Sequence, residues 1–340
     1  LTPFSNNLFR QSLLGKRAAA AYAGTALAVG ALVYALGQSP AVSFTAVSAA
    51  IGNFPWSTLV AVFGLWSVQT LAAAIRLHVL LEPKARPSFW VSWQAFSLGQ
   101  WLNAFLPARA GDALKLFLVN RQHPHHGFSI AGTLAADRMV DLAALALVVI
   151  AAGVHRAVPV GHLRAKVATG AAIALAVGLL GIVLFKFLPE ERRRKVRHAM
   201  TQLAQGFQRL RRPFPFSVAL LVSIVGWFGE SSALVALARS QGFPLSIAEG
   251  VYLLLLLNAA TAIPVSVGQV GPFEAAIVYA LGTLGVPTVP ALAVAVTHHL
   301  FYFGTLLFWA IATSLVVRGR HKGAAPSRIE SVSNVDGGTA

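Results

Sequence analysis

The chain has 340 residues, of which 56% are hydrophobic and only 11% charged, with a mean hydropathy of +0.68. Soluble domains carry roughly 25% charged residues, so the composition excludes that class and, with apolar runs of about twenty residues, points to an all-α polytopic membrane protein. A formal charge of +16 would suit a nucleic-acid binder, but the basic residues lie between apolar runs, as in loops that orient membrane proteins; the absence of cysteine excludes disulfides, thiolate metal sites and cysteine nucleophiles.

Arg10, Lys16 and Arg17 precede the apolar segment Ala18 to Leu36. That segment is long for a signal-peptide core and lacks a convincing cleavage site, so it reads as a retained first span with a cytoplasmic N-terminus. Gly37 to Asn53 is uncharged and reads as a short extracytoplasmic connection. Phe54 to Ile75 is the second span, returning the chain to a cytoplasmic cluster of Arg76, His78, Glu82, Lys84 and Arg86.

Ser88 to Asn120 contains the most informative stretch, GQWLNAFLPARAGDALKLFLVNR, in which an apolar run breaks at Leu106-Pro107 and meets Arg109, Asp112 and Lys115 before resuming. Each arm is short for a full span. A re-entrant hairpin open to the cytoplasm and a pair of tilted spans give the same end topology, since the following loop with Arg121, His123, His125 and His126 is again basic. Backbone that leaves the helix at membrane depth must be buried in protein or line a wet cavity, and charge at that depth marks function by default.

Ser129 to Val154 is the third full span, with Asp137, Arg138 and Asp141 in its first turns. Asp137 and Asp141 share a helix face, and Arg138 can pair with Asp141 three residues on. His155 to Lys166 is a mildly basic connection placed outside, and Val167 to Leu188 is the fourth span. Next comes PEERRRKVRHAMTQLAQGFQRLRRP, whose Val196, Met200, Leu203, Phe207 and Leu210 recur at helical intervals. The pattern predicts a cytoplasmic amphipathic helix against anionic headgroups, or a solvated linker.

Phe214 to Ala238 is the fifth span, carrying Glu230 near its middle, and Arg239 to Glu249 is extracytoplasmic. Gly250 to Leu284 is a second broken stretch, with Asn258, Pro264, Gly268, Gly271 and Glu274. Val289 to Val317 is the last span, with His298 and His299 inside it, and residues 323–340 read as a disordered cytoplasmic tail. The organisation is thus one membrane domain over residues 1–322, with about six full spans and two broken hairpins. Its halves, 18–188 and 214–317, are joined by the linker 189–213.

The two breaks resemble each other: Asn103, Pro107, Gly111 and Asp112 in one, Asn258, Pro264, Gly268, Gly271 and Glu274 in the other. By loop charge the first opens to the cytoplasm and the second to the outside, the arrangement of an inverted repeat whose discontinuous helices build a site near the midplane. Gly271, Pro272 and Glu274 fit the N-cap, N1 and N3 positions of a helix, and Asp112 fits the first turn after Pro107. Helix N-termini at depth attract anions, phosphate among them.

LNAFLPARAGDALKLFLV, a DRMVD helix start and IPVSVGQVGPFE together resemble the lysylphosphatidylglycerol synthase transmembrane-region family, the flippase-like domain of MprF-type proteins, over about residues 10 to 320. Asp137 stands where the family usually has Glu, and Gln269 occupies the second position of its Gly-Gly pair. The soluble aminoacyl-transferase domain is absent after the last span, so the resemblance implies the membrane half of the function, translocation or handling of a lipid, without an enzymatic activity. Stand-alone members include hopanoid-associated (HpnL-like) proteins, whose size and Ala-rich, Arg-rich style this sequence fits, without these residues separating that subgroup from other stand-alone members.

The resulting expectation is a flippase-like carrier in the bacterial inner membrane for a lipid with a polar, anionic headgroup, a phospholipid or a hopanoid-type lipid. Arg109, Asp112 and Lys115 would form a headgroup cradle, with Arg109 the phosphate partner because its fork matches phosphate bidentately; the same residues also fit an internal salt-bridge set. Arg76, Arg138, Asp137 and Asp141 would extend the cradle or lock two helices. Glu230 and Glu274 fit proton carriers, or partners for Arg109, Arg138 or Arg76. His298 and His299 fit packed, hydrogen-bonded histidines, and Asn258 a bond to backbone freed near Pro264. No cofactor, metal or nucleic acid is expected; a second copy or lipid-biosynthesis proteins are the candidate protein partners. A membrane-embedded lipid-modifying enzyme or its accessory subunit is the alternative reading.

Overall fold

The computed structural model describes residues 43–105, 110–121, 127–153, 189–262 and 266–323. Among these residues the regular elements are α-helices and short 3-10 turns, as a polytopic α-helical membrane protein requires. The expected spans Ala18 to Leu36 and Val167 to Leu188 lie outside the described residues. So do the connection His155 to Lys166, residues Pro107, Arg109 and Pro264, the histidines 123, 125 and 126, and residues 324–340 of the tail.

Helix α1 (Phe44–Gly52) is capped by Ser43, whose Oγ accepts the Ala46 N–H at 3.1 Å. The uncharged connection therefore holds a short helix. Helices α2 (Trp56–Leu80), α7 (Pro213–Ser240) and α10 (Thr288–Gly323) are long and apolar enough to cross a membrane. α2 runs one turn further than its apolar run, because nothing in the sequence breaks it before Leu81. Arg76 is consequently a buried helix residue, 2% exposed, and not part of a surface loop. α10 likewise continues past Val317 to Gly323.

α2 and α7 form an antiparallel pair: Ser223 lies beside Arg76, Gly226 against Ala72 and Gln69, and Gly229 against the Leu65 carbonyl. Glycine at the last two positions allows close approach, the way membrane helices gain packing without a hydrophobic drive between them. Their end is tied off by arginines. Arg86 and Arg209 both donate to the Val79 carbonyl, and Arg86 also to Leu81, so cations satisfy the orphan carbonyls at the C-terminus of α2. The mutual repulsion and partial burial of these guanidiniums lower the pKa of Arg86.

The main core lies in the second half, where Leu234, Leu237, Leu253, Leu254, Ile277, Leu281 and Val294 pack with Val62 and Trp66 of α2. Outward faces are apolar too: Leu142, Ile150, Leu221, Leu300 and Leu315 are each more than half exposed. A soluble surface would hide such residues; a lipid-facing one presents them.

Both broken stretches are helical hairpins. The first pairs α3 (Phe89–Phe105) with α4 (Ala110–Asn120), and the second pairs α8 (Ile247–Thr261) with α9 (Pro272–Thr283) through a turn at Val267–Gln269. At 1.5 Å per residue, α4 and α9 rise about 16 and 18 Å, well short of a hydrocarbon core about 30 Å thick. By length, then, α4 and α9 are each short for a full span, as the sequence suggests. In the first hairpin Gly99 and Gly111 bring the two backbones into contact; a Cβ on Gly111 would lie 1.9 Å from the Gly99 carbonyl oxygen.

Helix α5 (Gly127–Ala151) follows, and α6 (Glu190–Gly206) packs across its first turns. There, a Cβ on Gly132 would meet the Leu203 carbonyl oxygen at 2.1 Å, and one on Gly206 would meet the Ser129 carbonyl oxygen at 2.4 Å. The amphipathic pattern of α6 is realised in two parts. Leu203 lies against Gly132 of α5, while Val196 and Met200 extend the apolar stripe into the open among Arg192, Arg194 and Arg197.

Candidate functional site

The helices enclose a cavity of about 430 Å³ between α2, α3, α5, α7, α8, α10 and the break of the second hairpin. Its polar lining includes Gln69, Arg76, Gln100, Asn103, Arg138, Asp141, Glu230, Asn258 and Gln269, and its apolar walls include Trp66, Phe96, Trp227, Phe273 and Tyr302. The volume lies within the range of small-ligand sites. A smaller cavity of about 190 Å³ adjoins at Arg138, bounded by Asp112, Lys115 and Asp137.

Two charge clusters meet there. In the first, the Arg76 guanidinium donates from Nε to Asp137 Oδ1 at 2.7 Å, from NH1 to Ser223 Oγ at 3.0 Å, and from NH1 to Asp141. Arg76 thereby joins α2, α5 and α7. The i,i+3 pairing of Arg138 with Asp141 does not form, because Asp141 is turned to Arg76.

Arg138 belongs to the second cluster, which sits on the first hairpin. Its NH2 donates to Gln100 Oε1 at 2.9 Å and lies 3.6 Å from Asp112 Oδ1. Gln100 Oε1 also accepts from Lys115 Nζ at 2.7 Å, and Lys115 lies 3.0 Å from Asp112. Asn103 closes the hairpin: its Nδ2 donates to Asp112 Oδ1 at 2.9 Å, while its Oδ1 accepts the Asp112 N–H at 3.1 Å. Asn103 thus caps α4 through the Asp112 N–H, while the Asp112 carboxylate gathers two cations.

The two cations differ in freedom. Lys115 is buried, 3% exposed, and is spent on Asp112 and Gln100. Arg138 is engaged through NH2, and a third of its side chain remains exposed beside the cavity. Among the described residues it is the cation best placed to receive an incoming anion.

The second hairpin contributes backbone more than charge. Gly268, Gln269 and Gly271 have φ of +68°, +57° and +96°. Gln269 holds the left-handed conformation without being glycine, so the turn keeps its shape at a cost of order 1 kcal/mol. Pro272 and Glu274 occupy N1 and N3 of α9, and Glu274 Oε2 accepts the Gly271 N–H at 2.8 Å. The other carboxylate oxygen meets His299 Nδ1 at 2.5 Å. Glu274 therefore pairs with His299, not with Arg76 or Arg138, and does not line the cavity. Asn258 bonds its own helix at the Leu254 carbonyl, 2.9 Å away.

The two breaks meet. The turn Val267–Gln269 packs on α3, where a Cβ on Gly268 would lie 3.9 Å from the Phe105 ring. Residues flanking both breaks, Asn103 and Gln269, line the same cavity. The likeness of the hairpins stops short of their contacts, since Asn103 bridges to Asp112 while Asn258 stays within its helix.

Sequence reasoning missed Gln69, Gln100, Ser223 and the Glu274–His299 pair. Gln69 and Gln100 carry a signal, a lone amide in an apolar run, which is expensive in lipid unless it faces protein. His298 resolves differently from its neighbour: it is fully buried against Trp66 and Phe273, and neither ring nitrogen has a hydrogen-bond partner among the described residues.

The family described as Lysylphosphatidylglycerol synthase TM region matches residues 22–310, which include every cluster above. The chain is also similar to the "UPF0104 membrane protein MJ1078" of Methanocaldococcus jannaschii, with 26% identity over 227 residues, 64% of this chain and 95% of that protein. No solved structure matches the chain.

Proposed function

We propose that this chain, which belongs to the lysylphosphatidylglycerol synthase transmembrane-region family, is a carrier that moves the polar headgroup of a membrane lipid past the midplane through the central cavity. The observation that carries the reading is the meeting of two broken helical hairpins at a cavity lined by Arg138, Asn103 and Gln269, within a body whose outer face is apolar. Discontinuous helices joined at a polar cavity let a headgroup cross while its tails stay in lipid.

Arg138 receives the phosphate of a phospholipid or hopanoid-type lipid, its fork being matched to a tetrahedral anion. By sequence Arg109, which lies outside the described residues, is a second candidate cation for the headgroup. Arg76 is bonded through all three of its nitrogens to Asp137, Asp141 and Ser223 and acts as the tie between α2, α5 and α7. No bond of the lipid is made or broken. The chain sits in an inner membrane with the Arg-rich helix α6 on the cytoplasmic side, where Val196 and Met200 enter the headgroup layer and the arginines face anionic lipid.

Vesicle reconstitution tests the carrier. Purified protein in liposomes with fluorescent phosphatidylglycerol is expected to move the probe between leaflets faster than empty liposomes do, and Arg138→Ala is expected to lose most of that rate while eluting as folded protein. Equal rates in protein-containing and empty liposomes, for phosphatidylglycerol and for a hopanoid-type lipid alike, refute the reading.

A further inference from the structure

Glu230 stands apart from every other charge in the cavity. It is 6% exposed and lines the cavity wall from α7, more than half-way along that helix. Among the described residues it has no ion pair and no hydrogen bond. The nearby cations are committed elsewhere: Arg76 to Asp137 and Asp141, Lys115 to Asp112.

The groups facing it from each packed element sharpen the contrast. α2 offers Arg76, already bonded. α5 offers Asp137 and Asp141, both on Arg76, and Arg138, which turns to Gln100 and Asp112. α8 carries Glu249, closing a capping box on Ser246, and Tyr252, bonded toward Thr283. α10 offers His298, His299 on Glu274, and Tyr302, whose hydroxyl group and Asp141 are the titratable neighbours acting on Glu230. The turn Gln208–Arg211 offers Arg209, spent on Val79. The charged neighbour that acts on Glu230 is thus another carboxylate.

A buried carboxylate with no counter-charge costs several kcal/mol, whereas the neutral acid at the same place needs only room for a proton. We propose that Glu230 is a proton-binding site of this cavity, loaded from water on one side of the membrane while no headgroup occupies the cavity and unloaded when a headgroup and its water enter, so that lipid movement draws on a proton gradient. The step is a proton transfer alone: carboxylate and proton give the acid, the cavity gains one positive charge, and on release the proton passes to water on the opposite side. This coupling rests on the carrier reading above; the proton site itself does not.

Two measurements separate them. Infrared difference spectra of the full chain in lipid nanodiscs are expected to show a protonated-carboxyl C=O band at neutral pH that is lost in Glu230→Gln and shifted but retained in Glu230→Asp. A band unchanged in Glu230→Gln overturns the proton site, whatever the lipid. In liposomes with fluorescent phosphatidylglycerol and the membrane potential clamped, one proton per lipid drives a leaflet ratio of up to about tenfold per unit of pH gradient. Wild type and Glu230→Asp are expected to approach that ratio, and Glu230→Gln to stay near unity. A wild-type ratio that ignores the gradient while the probe still moves overturns the coupling. Failure of the probe to move at all overturns the carrier reading and the coupling with it, and the infrared band then stands as evidence for the proton site alone.

Discussion

Replacing Arg76 by Met removes the cation that holds three helices and leaves two aspartates facing each other inside the bundle. Arg76 makes bonds to Asp137, Asp141 and Ser223 from a site only 2% exposed. Breaking a buried ion pair from one side costs about 3–5 kcal/mol, because the stranded charge has lost its compensation. At 2–4 °C per kcal/mol for domains of 150–250 residues, and less for a longer chain, this corresponds to a drop of about 5–10 °C in melting temperature. Thermal unfolding in nanodiscs, followed by tryptophan fluorescence, reads it, since Trp66 and Trp227 line the cavity beside the cluster. Neutralising all three partners, Arg76→Met with Asp137→Asn and Asp141→Asn, removes the stranded charge and is expected to recover more than half of the loss. A single variant that melts with the parent, or a triple variant no better than the single, refutes the argument that charge balance holds this junction.

Gly111→Ala is expected to lower the melting temperature by the equivalent of about 1–3 kcal/mol through overpacking, since its Cβ would enter the Gly99 carbonyl; Gly64→Ala, with nothing within 4 Å, serves as the control and should leave it unchanged. Gln269→Gly removes the left-handed strain at φ +57° and should raise stability by about 1 kcal/mol, whereas Gln269→Val should lower it. Gly132→Val drives a side chain into Leu203 and is expected to detach α6 from α5. Limited trypsin digestion then cuts between Arg192 and Arg197 several times faster than in the parent, and an unchanged cleavage rate would show that the glycine contact does not hold the helix.

The hairpins were legible because their signals are local. A proline or glycine pair inside an apolar run cannot continue a helix, and Gly271-Pro272-Phe273-Glu274 spells out its own helix start, which α9 adopts. Partners were not legible, because they are chosen by helices far apart in sequence. Arg138 has Asp141 one turn away, yet α5 lies with Asp137 and Asp141 toward Arg76, and Arg138 points to Gln100 and Asp112 on the first hairpin. Arg76 looked like a loop cation because it follows an apolar run; only the packing of α2 on α7 shows that it ends inside. Glu274 fits its cap position by sequence, while its bond to His299 depends on how α9 lies against α10.

The contact between Phe105 and Gly268 also bears on the membrane as an insulator. A bilayer blocks ions because its low-permittivity slab is thick, and a polar cavity set between two broken hairpins interrupts such a slab. What remains at the junction is an aromatic gasket, Phe105 with Trp101 and Phe303 at ring separations of 4.8 and 5.3 Å, seated on a residue with no side chain of its own. With no side chain on Gly268, the turn of the second hairpin presents bare backbone to these rings, so the size of the residue at 268 sets how closely the two hairpins approach.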